Sequence, residues 1–190
     1  MERPVQAAPG KPESGAGEFP PLRVRLRDGR SVTIRAIRPD DADAMRAAFE
    51  HLSAEARYSR FMGAVKLTPA MVERAVRPLG DHERALAAIA GEGPDGAIVG
   101  GARYVKGADS ETCEFAVTIT DGWRGAGLAS RMLRALIRDA GGRGLKYMDG
   151  FVLAANKPML DLARRLGFEV GASDEGPAVR LVRRDLSTNQ

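Results

Sequence analysis

From Leu22 onward apolar residues recur with two periods, and the switches between them lay out the chain. Leu22, Val24 and Leu26 alternate with arginines, Asp28-Gly29 intervenes, and Val32, Ile34 and Ile37 follow. Asp-Gly between two alternating runs predicts a β-hairpin. Pro39-Asp40-Asp41 then opens a helix, with Asp40 or Asp41 as cap and Met45, Ala48, Phe49 and Leu52 at helical spacing. Ser53 starts a second helical piece that runs through Phe61 to a break at Gly63. Thr68-Pro69, a cap and a first-turn proline, starts a third that ends near Arg77-Pro78. Strand-like runs follow at 85–90 and 97–106, joined by the turn Gly93-Pro94-Asp95-Gly96. Between Glu111 and Thr120, Cys113, Phe115, Val117 and Ile119 fall on one face, and Glu114, Ala116 and Thr118 on the other.

A glycine-containing turn at 122–127 leads into a helix whose inward positions are Leu128, Met132, Leu133, Leu136, Ile137 and Ala140, with Gly141-Gly142 as its stop. Lys146 to Ala154 is strand-like. Asn156 caps a last helix with Pro158 in its first turn and Gly167 at its end. Runs at 168–170 and 178–182 read as closing strands. This order predicts an α/β or α+β domain with a mixed sheet, spanning residues 21–190. Residues 1–20 hold four prolines, three glycines and few large apolar groups, which predicts a disordered tail.

Composition narrows the chemistry. The 190 residues are 44% hydrophobic, enough for a packed core. All but five of the 29 cationic side chains are arginine, yet the net charge of +4 is spread along the chain and favours anionic ligands only weakly. One cysteine and two histidines argue against a disulfide or a metal centre. No apolar run approaches the roughly 18 residues of a membrane span, and the first 20 residues lack a signal-peptide core. The expectation is a cytoplasmic protein with no metal and no nucleic-acid or membrane partner. The pattern specifies no oligomeric state.

The segment 115–130 is the richest in chemistry: a strand ends, a turn with glycines at 125 and 127 follows, and a helix starts at once. Glycines allow close backbone approach, and the unpaired first amides of the helix, aided by its dipole, suit a pyrophosphate. Arg124 at the lip, with Arg131, Arg134 and Arg138 along the helix, adds positive charge. Two specific readings of this turn, a dinucleotide fingerprint with Ser130 at its third glycine position and a Walker loop, compete with a plain helix start. Too little chain follows for the doubly wound sheet that the dinucleotide fingerprint normally opens, and no Gly-Lys-Ser/Thr is present for a Walker loop.

Arg124-Gly125-Ala126-Gly127-Leu128-Ala129 resembles the Arg/Gln-x-x-Gly-x-Gly/Ala pattern of the GNAT superfamily of acyl-CoA-dependent N-acetyltransferases. Asn156-Lys157-Pro158-Met159 through Leu166-Gly167-Phe168 resembles its second signature. The segments 52–61, 67–69, 81–86 and 113–117 look like the acetyltransferase domain of bacterial Pat-type protein lysine acetyltransferases, which modify AMP-forming acyl-CoA synthetases and similar proteins. The resemblance implies a GNAT fold, an α/β (α+β) architecture with a mixed central sheet of about 6–7 strands flanked by about 4–5 helices. It implies acetyl-CoA as co-substrate and a protein lysine or a small amine as acceptor. The implied cofactor residues are Val117, Thr118, Ile119, Arg124, Gly125, Ala126, Gly127, Leu128, Ala129, Ser130 and Asn156.

At pH 7 only about one lysine in 2,500 is a free amine, a deficit of about 4.6 kcal/mol that a general base must offset. Glu114 is the candidate base, on a strand where the resemblance places a catalytic glutamate and where apolar neighbours are expected to raise its pKa. An edge glutamate paired with arginine is the plainer reading, and Asp81, His82 and Glu83 are the fallback. The resemblance also implies a strand bulge at Val117–Ile119 that frees an N–H for the oxyanion, and backbone there that holds the pantetheine arm like an added strand. Many relatives protonate the leaving thiolate with a tyrosine where this chain has Ala163; Tyr58, Tyr104 and Tyr147 are the substitutes. Cys113 is expected to be an inert core thiol. Arg57, Tyr58 and Arg60 read either as an acceptor-docking face or as a solvated arginine face with Tyr58 packed inward. Ala163 also keeps open a catalytically weak acyl-CoA-binding sensor or interaction module, against which Glu114 argues.

Overall fold

The computed structural model describes residues 19–61, 66–78, 80–91, 96–107 and 111–187. The expected tail (apart from Phe19 and Pro20), the break at Gly63 and residues 93–95 of the expected turn lie outside them. Among the described residues, eight strands form one sheet. In chain order they are β1 (Leu22–Arg25), β2 (Ser31–Ala36), β3 (Glu83–Ala90), β4 (Ala97–Lys106), β5 (Thr112–Ile119), β6 (Tyr147–Leu153), β7 (Glu169–Ala172) and β8 (Val179–Asp185). The spatial order is β1-β2-β3-β4-β5-β6-β8-β7. Every neighbouring pair is antiparallel except β5–β6. The count is slightly above the expected 6–7 because the four-residue strands at both sheet edges, β1 and β7, pair fully.

Helices cover both faces. α1 (Ala42–Glu50), α2 (Ala54–Phe61) and α3 (Pro69–Val76) lie on one, α4 (Leu128–Gly142) and α5 (Lys157–Arg165) on the other. Ala85, Ala87, Ile89 and Ile98 pack toward Met45, Ala48 and Val76, while Leu86, Ala102, Phe115 and Ile119 pack toward the apolar stripe of α4. That stripe is the one read from the sequence: Leu128, Met132, Leu133, Leu136, Ile137 and Ala140 are all buried. None of the described helices is long and apolar enough to cross a membrane.

Local signals act largely as read. The Thr68 hydroxyl and the Asn156 amide oxygen each accept an N–H three residues on, at 3.2 Å. One differs. Asp41 stands at the start of α1, but its carboxylate turns back to accept the Arg38 N–H at 2.7 Å and to pair with Arg35. α4 ends at Gly142, within the Gly141-Gly142 stop, and Gly144 just beyond it takes a left-handed φ of +78°.

The C-terminal half of α4 is fastened by Asp139, whose carboxylate accepts Tyr104 Oη at 2.6 Å, Arg84 Nε at 3.1 Å and Arg143 Nε at 3.1 Å. Arg84 is 7% exposed and Tyr104 fully buried. Asp139→Ala removes the acceptor shared by two guanidinium groups and a buried phenol, and is expected to cost about 3–5 kcal/mol, read as a lowered denaturation midpoint at unchanged slope.

Candidate active site

β5 and β6 pair only at Thr112–Tyr147, Cys113–Met148 and Glu114–Asp149, and beyond Glu114 the two strands part. β4 stays paired with β5 in unbroken register as far as Ile119. The edge of Val117–Ile119 that faces β6 therefore has no strand paired to it among the described residues. The expected bulge is absent. Divergence of β6 frees the backbone instead, because that edge loses its neighbour outright.

The gap opens into a cleft of about 1720 Å³, larger than the roughly 300–1,000 Å³ of ordinary small-molecule sites. Glu114, Val117, Thr118 and Ile119 form one wall, the turn from Arg124 to Ser130 closes its end, and Asn156 and Phe151 line the other side. Glu114 and every residue nominated from the sequence for the cofactor are thus brought to one cleft.

The turn is built as its glycines predict. A 3₁₀ turn spans Asp121–Trp123, Gly125 and Gly127 take φ of +74° and +91°, and α4 starts at Leu128. The side chains of Ala126 and Leu128 are buried, so these residues offer only backbone to the cleft. Three of the first amides of α4 lack intrahelical acceptors and stand at the positive end of the helix dipole. A fourth, the Arg131 N–H, donates to Gly127 O at 3.2 Å. Arg124, Arg131 and Arg134 line the cleft, whereas Arg138 lies beyond it. Arg124 pairs with Asp121 at 2.9 Å, and Asp121 also accepts the Ser53 N–H at 2.8 Å at the start of α2. The Asn156 oxygen is committed to its cap, which leaves its amide nitrogen for the cleft. An extended thioester carrier with a diphosphate fits this combination of a strand edge and an amide-lined turn.

On the acceptor side Glu114 is exposed, not embedded in apolar neighbours as expected, because the cleft itself replaces a packed layer there. Arg60 also lines the cleft. Burial pulls its guanidinium below the usual arginine range, opposed by the charge of Glu114. Tyr58 is 52% exposed at the cleft and is not packed inward. Arg57 instead reaches back to Leu52 O at 3.0 Å and over the Phe49 ring.

The fallback acids lie outside the cleft lining. Glu83 shares the sheet face of Glu114 through the register Glu83–Val105–Glu114, but its side chain is fully buried and ion-paired to Arg74 at 2.7 Å and to Arg103. Burial and the neighbouring Arg74 and Arg60 charges bring Arg103 down to about 10. Of the three tyrosines, Tyr58 lines the cleft; Tyr104 is buried against Asp139, and Tyr147 lies under Arg183. Ala163 is fully buried in the core. The Cys113 thiol is fully buried, pushed up to about 12 by burial and then by Asp149, and so is not nucleophilic at neutral pH.

Sequence reasoning missed the partners that stiffen this site: Arg27 and Arg30 on the turn, Asp121 on α2, and Asp139 on α4. Only Asp139 left a trace, as an acid at the margin of an otherwise apolar helical stripe.

The family model described as "Acetyltransferase (GNAT) domain" matches residues 31–169. An acetyltransferase of Pseudomonas aeruginosa is 35% identical over 162 residues, covering 84% of this chain and 86% of that protein. The acetyltransferase Pat of Mycolicibacterium smegmatis is 29% identical over 77% of this chain but only 44% of its own length. The crystal structure of the GNAT domain of S. lividans PAT superposes with a TM-score of 0.80 at 27% identity, covering 88% of this chain and 99% of that one. With the glycine turn at the head of α4 and the parted strands before it, these matches place the chain in the GNAT acetyltransferase family.

Proposed function

We propose that residues 21–190 act as one N-acetyltransferase domain, in the cytoplasm, that moves an acetyl group from acetyl-CoA to a protein lysine by direct attack in a ternary complex. Acetyl-CoA is the co-substrate of the GNAT family. The observation that carries the reading is the parting of β5 and β6 directly beyond Glu114. A pantetheine arm laid along the free edge of Val117–Ile119 completes the interrupted ladder. It sets the diphosphate at the amides from Gly127 to Ser130 and the thioester near Glu114.

In this reading Glu114 takes the proton from the attacking ammonium, directly or through a water that its exposure admits. The free N–H groups of the β5 edge face the developing oxyanion. The leaving thiolate belongs to a thiol of pKa near 8.5, so its departure does not require an acid, in keeping with the buried Ala163. The lysine acceptor rests on the Pat-type resemblance and on an open acceptor side, where Tyr58 and Phe151 are 52% and 38% exposed at the cleft. A small amine is the second reading, favoured by a 59-residue match at 41% identity to an L-methionine sulfoximine/L-methionine sulfone acetyltransferase of Pseudomonas aeruginosa.

Calorimetric titration is expected to show stoichiometric acetyl-CoA binding, with NAD and ATP inactive; preference for either nucleotide sinks the reading. Gly127→Ala forces a side chain into a left-handed backbone and sets its Cβ 3.2 Å from Arg27 Nε, so acetyl-CoA binding is expected to weaken about tenfold or more. Glu114→Gln is expected to lower acetyl transfer about 10²-fold or more and to flatten the acidic limb of its pH profile. Undiminished transfer at every pH removes Glu114 as the base. Mass spectrometry of an AMP-forming acyl-CoA synthetase incubated with enzyme and acetyl-CoA distinguishes the acceptors: an acetylated lysine supports the first reading, and a labelled small amine alone supports the second.

A further inference from the structure

The carbonyl side of the phosphate turn is not left to solvent. It docks on the hairpin between β1 and β2, almost a hundred residues earlier in the chain. The Arg27 N–H donates to Ala126 O at 3.1 Å, and Arg27 Nη2 donates to Gly125 O at 3.0 Å. Arg30 Nη1 donates to Gly122 O at 2.9 Å, and its guanidinium carbon stands 3.9 Å from the centre of the Trp123 ring. Arg30 is itself aimed by Asp28, which accepts its backbone N–H at 3.1 Å and its Nε at 2.7 Å.

A trans peptide is planar, and its C=O and N–H point in opposite directions. Fixing the carbonyls of Gly125 and Ala126 against the hairpin therefore turns the N–H groups of Ala126 and Gly127 away from it, toward the cleft. The left-handed conformations at Gly125 and Gly127 permit this orientation but do not enforce it, because glycine is the most freely rotating residue in the chain. The hairpin supplies the enforcement.

We infer that Arg27 and Arg30 are positioning residues of the diphosphate cradle: Arg27 holds the carbonyls of Gly125 and Ala126 so that the amides of Ala126 and Gly127 are set before the cofactor arrives, and Arg30 anchors the start of the same turn at Gly122 O and the Trp123 ring. Preorganisation of this kind raises affinity by removing an ordering cost from the binding step. The role is distinct from direct charge attraction, and Asp28 separates the two. A positioning Arg30 needs Asp28 to aim it, whereas an attracting Arg30 is weakened by that neighbouring negative charge.

The inference rests on the acetyl-CoA reading, and the test distinguishes the two. Trp123, the chain's one tryptophan, lines the cleft, and its fluorescence reports titrations of the full chain with acetyl-CoA and with S-acetyl-pantetheine, which lacks the diphosphate. Arg27→Ala and Arg30→Ala are each expected to weaken acetyl-CoA about tenfold and S-acetyl-pantetheine less than twofold. Asp28→Asn, a surface change that leaves both arginines in place, is expected to weaken acetyl-CoA about threefold although it makes the hairpin more positive. Equal losses for both ligands, or tighter acetyl-CoA binding by Asp28→Asn, overturn the inference. Failure of the unmodified chain to bind acetyl-CoA overturns the cofactor reading and this inference with it.

Discussion

Backbone N–H and C=O groups inside a sheet must find partners, and the site is built where this sheet declines to supply them. Among the described residues β5 and β6 are the one parallel pair, and three residue pairs are all they share. Behind the opening the Phe115 ring packs on Phe168 at 5.2 Å and occupies the space that any side chain at Gly150 would need. The floor is thus sealed by apolar packing while the edge in front stays polar. An extended ligand that brings its own hydrogen-bonding groups is the natural complement to such an edge.

The crossover that joins the two strands serves the same end. α4 runs 15 residues, roughly 22 Å, with its N-terminus at the cleft and its far half fastened by Asp139 to β3, β4 and Arg143. The helix is held firmly at the end away from the cleft. Its positive end is then a fixed feature of the cleft rather than a mobile one. The hairpin restrains the same end through carbonyls, so ordering the turn does not fall to the cofactor alone.

The periodic elements were legible because each obeys a short-range rule. The α4 stripe follows from 3.6-residue spacing, and the caps at Thr68 and Asn156 from a side chain three residues before an orphan amide. The glycine turn was legible for the same reason, since positive φ at Gly125 and Gly127 is a local demand. The rest depends on distance in space. Arg27 and Arg30 are two among many arginines until the hairpin folds onto the turn, and Glu83 reads as a fallback base until Arg74 and Arg103 close over it. The environment of Glu114 was misjudged likewise: strand alternation gives its face, but only the divergence of β6 shows that this face opens onto a cleft.

The proposed cofactor side and the proposed acceptor side are not independent parts of this cleft. Asp121 lies in the turn that leads to the cradle, and one carboxylate holds both Arg124 at the lip and the Ser53 N–H at the start of α2. Ser53 Oγ in turn accepts the Ala56 N–H at 3.2 Å, so the first turn of α2 hangs on a residue of the turn that precedes α4. α2 carries Tyr58 and Arg60 to the cleft beside Glu114. A shift of Arg124 toward a bound phosphate alters the charge that Asp121 presents to that helix, and a shift of the helix alters the lip. In the proposed reading, geometry at the acceptor amine is therefore tied through one side chain to occupancy of the cradle.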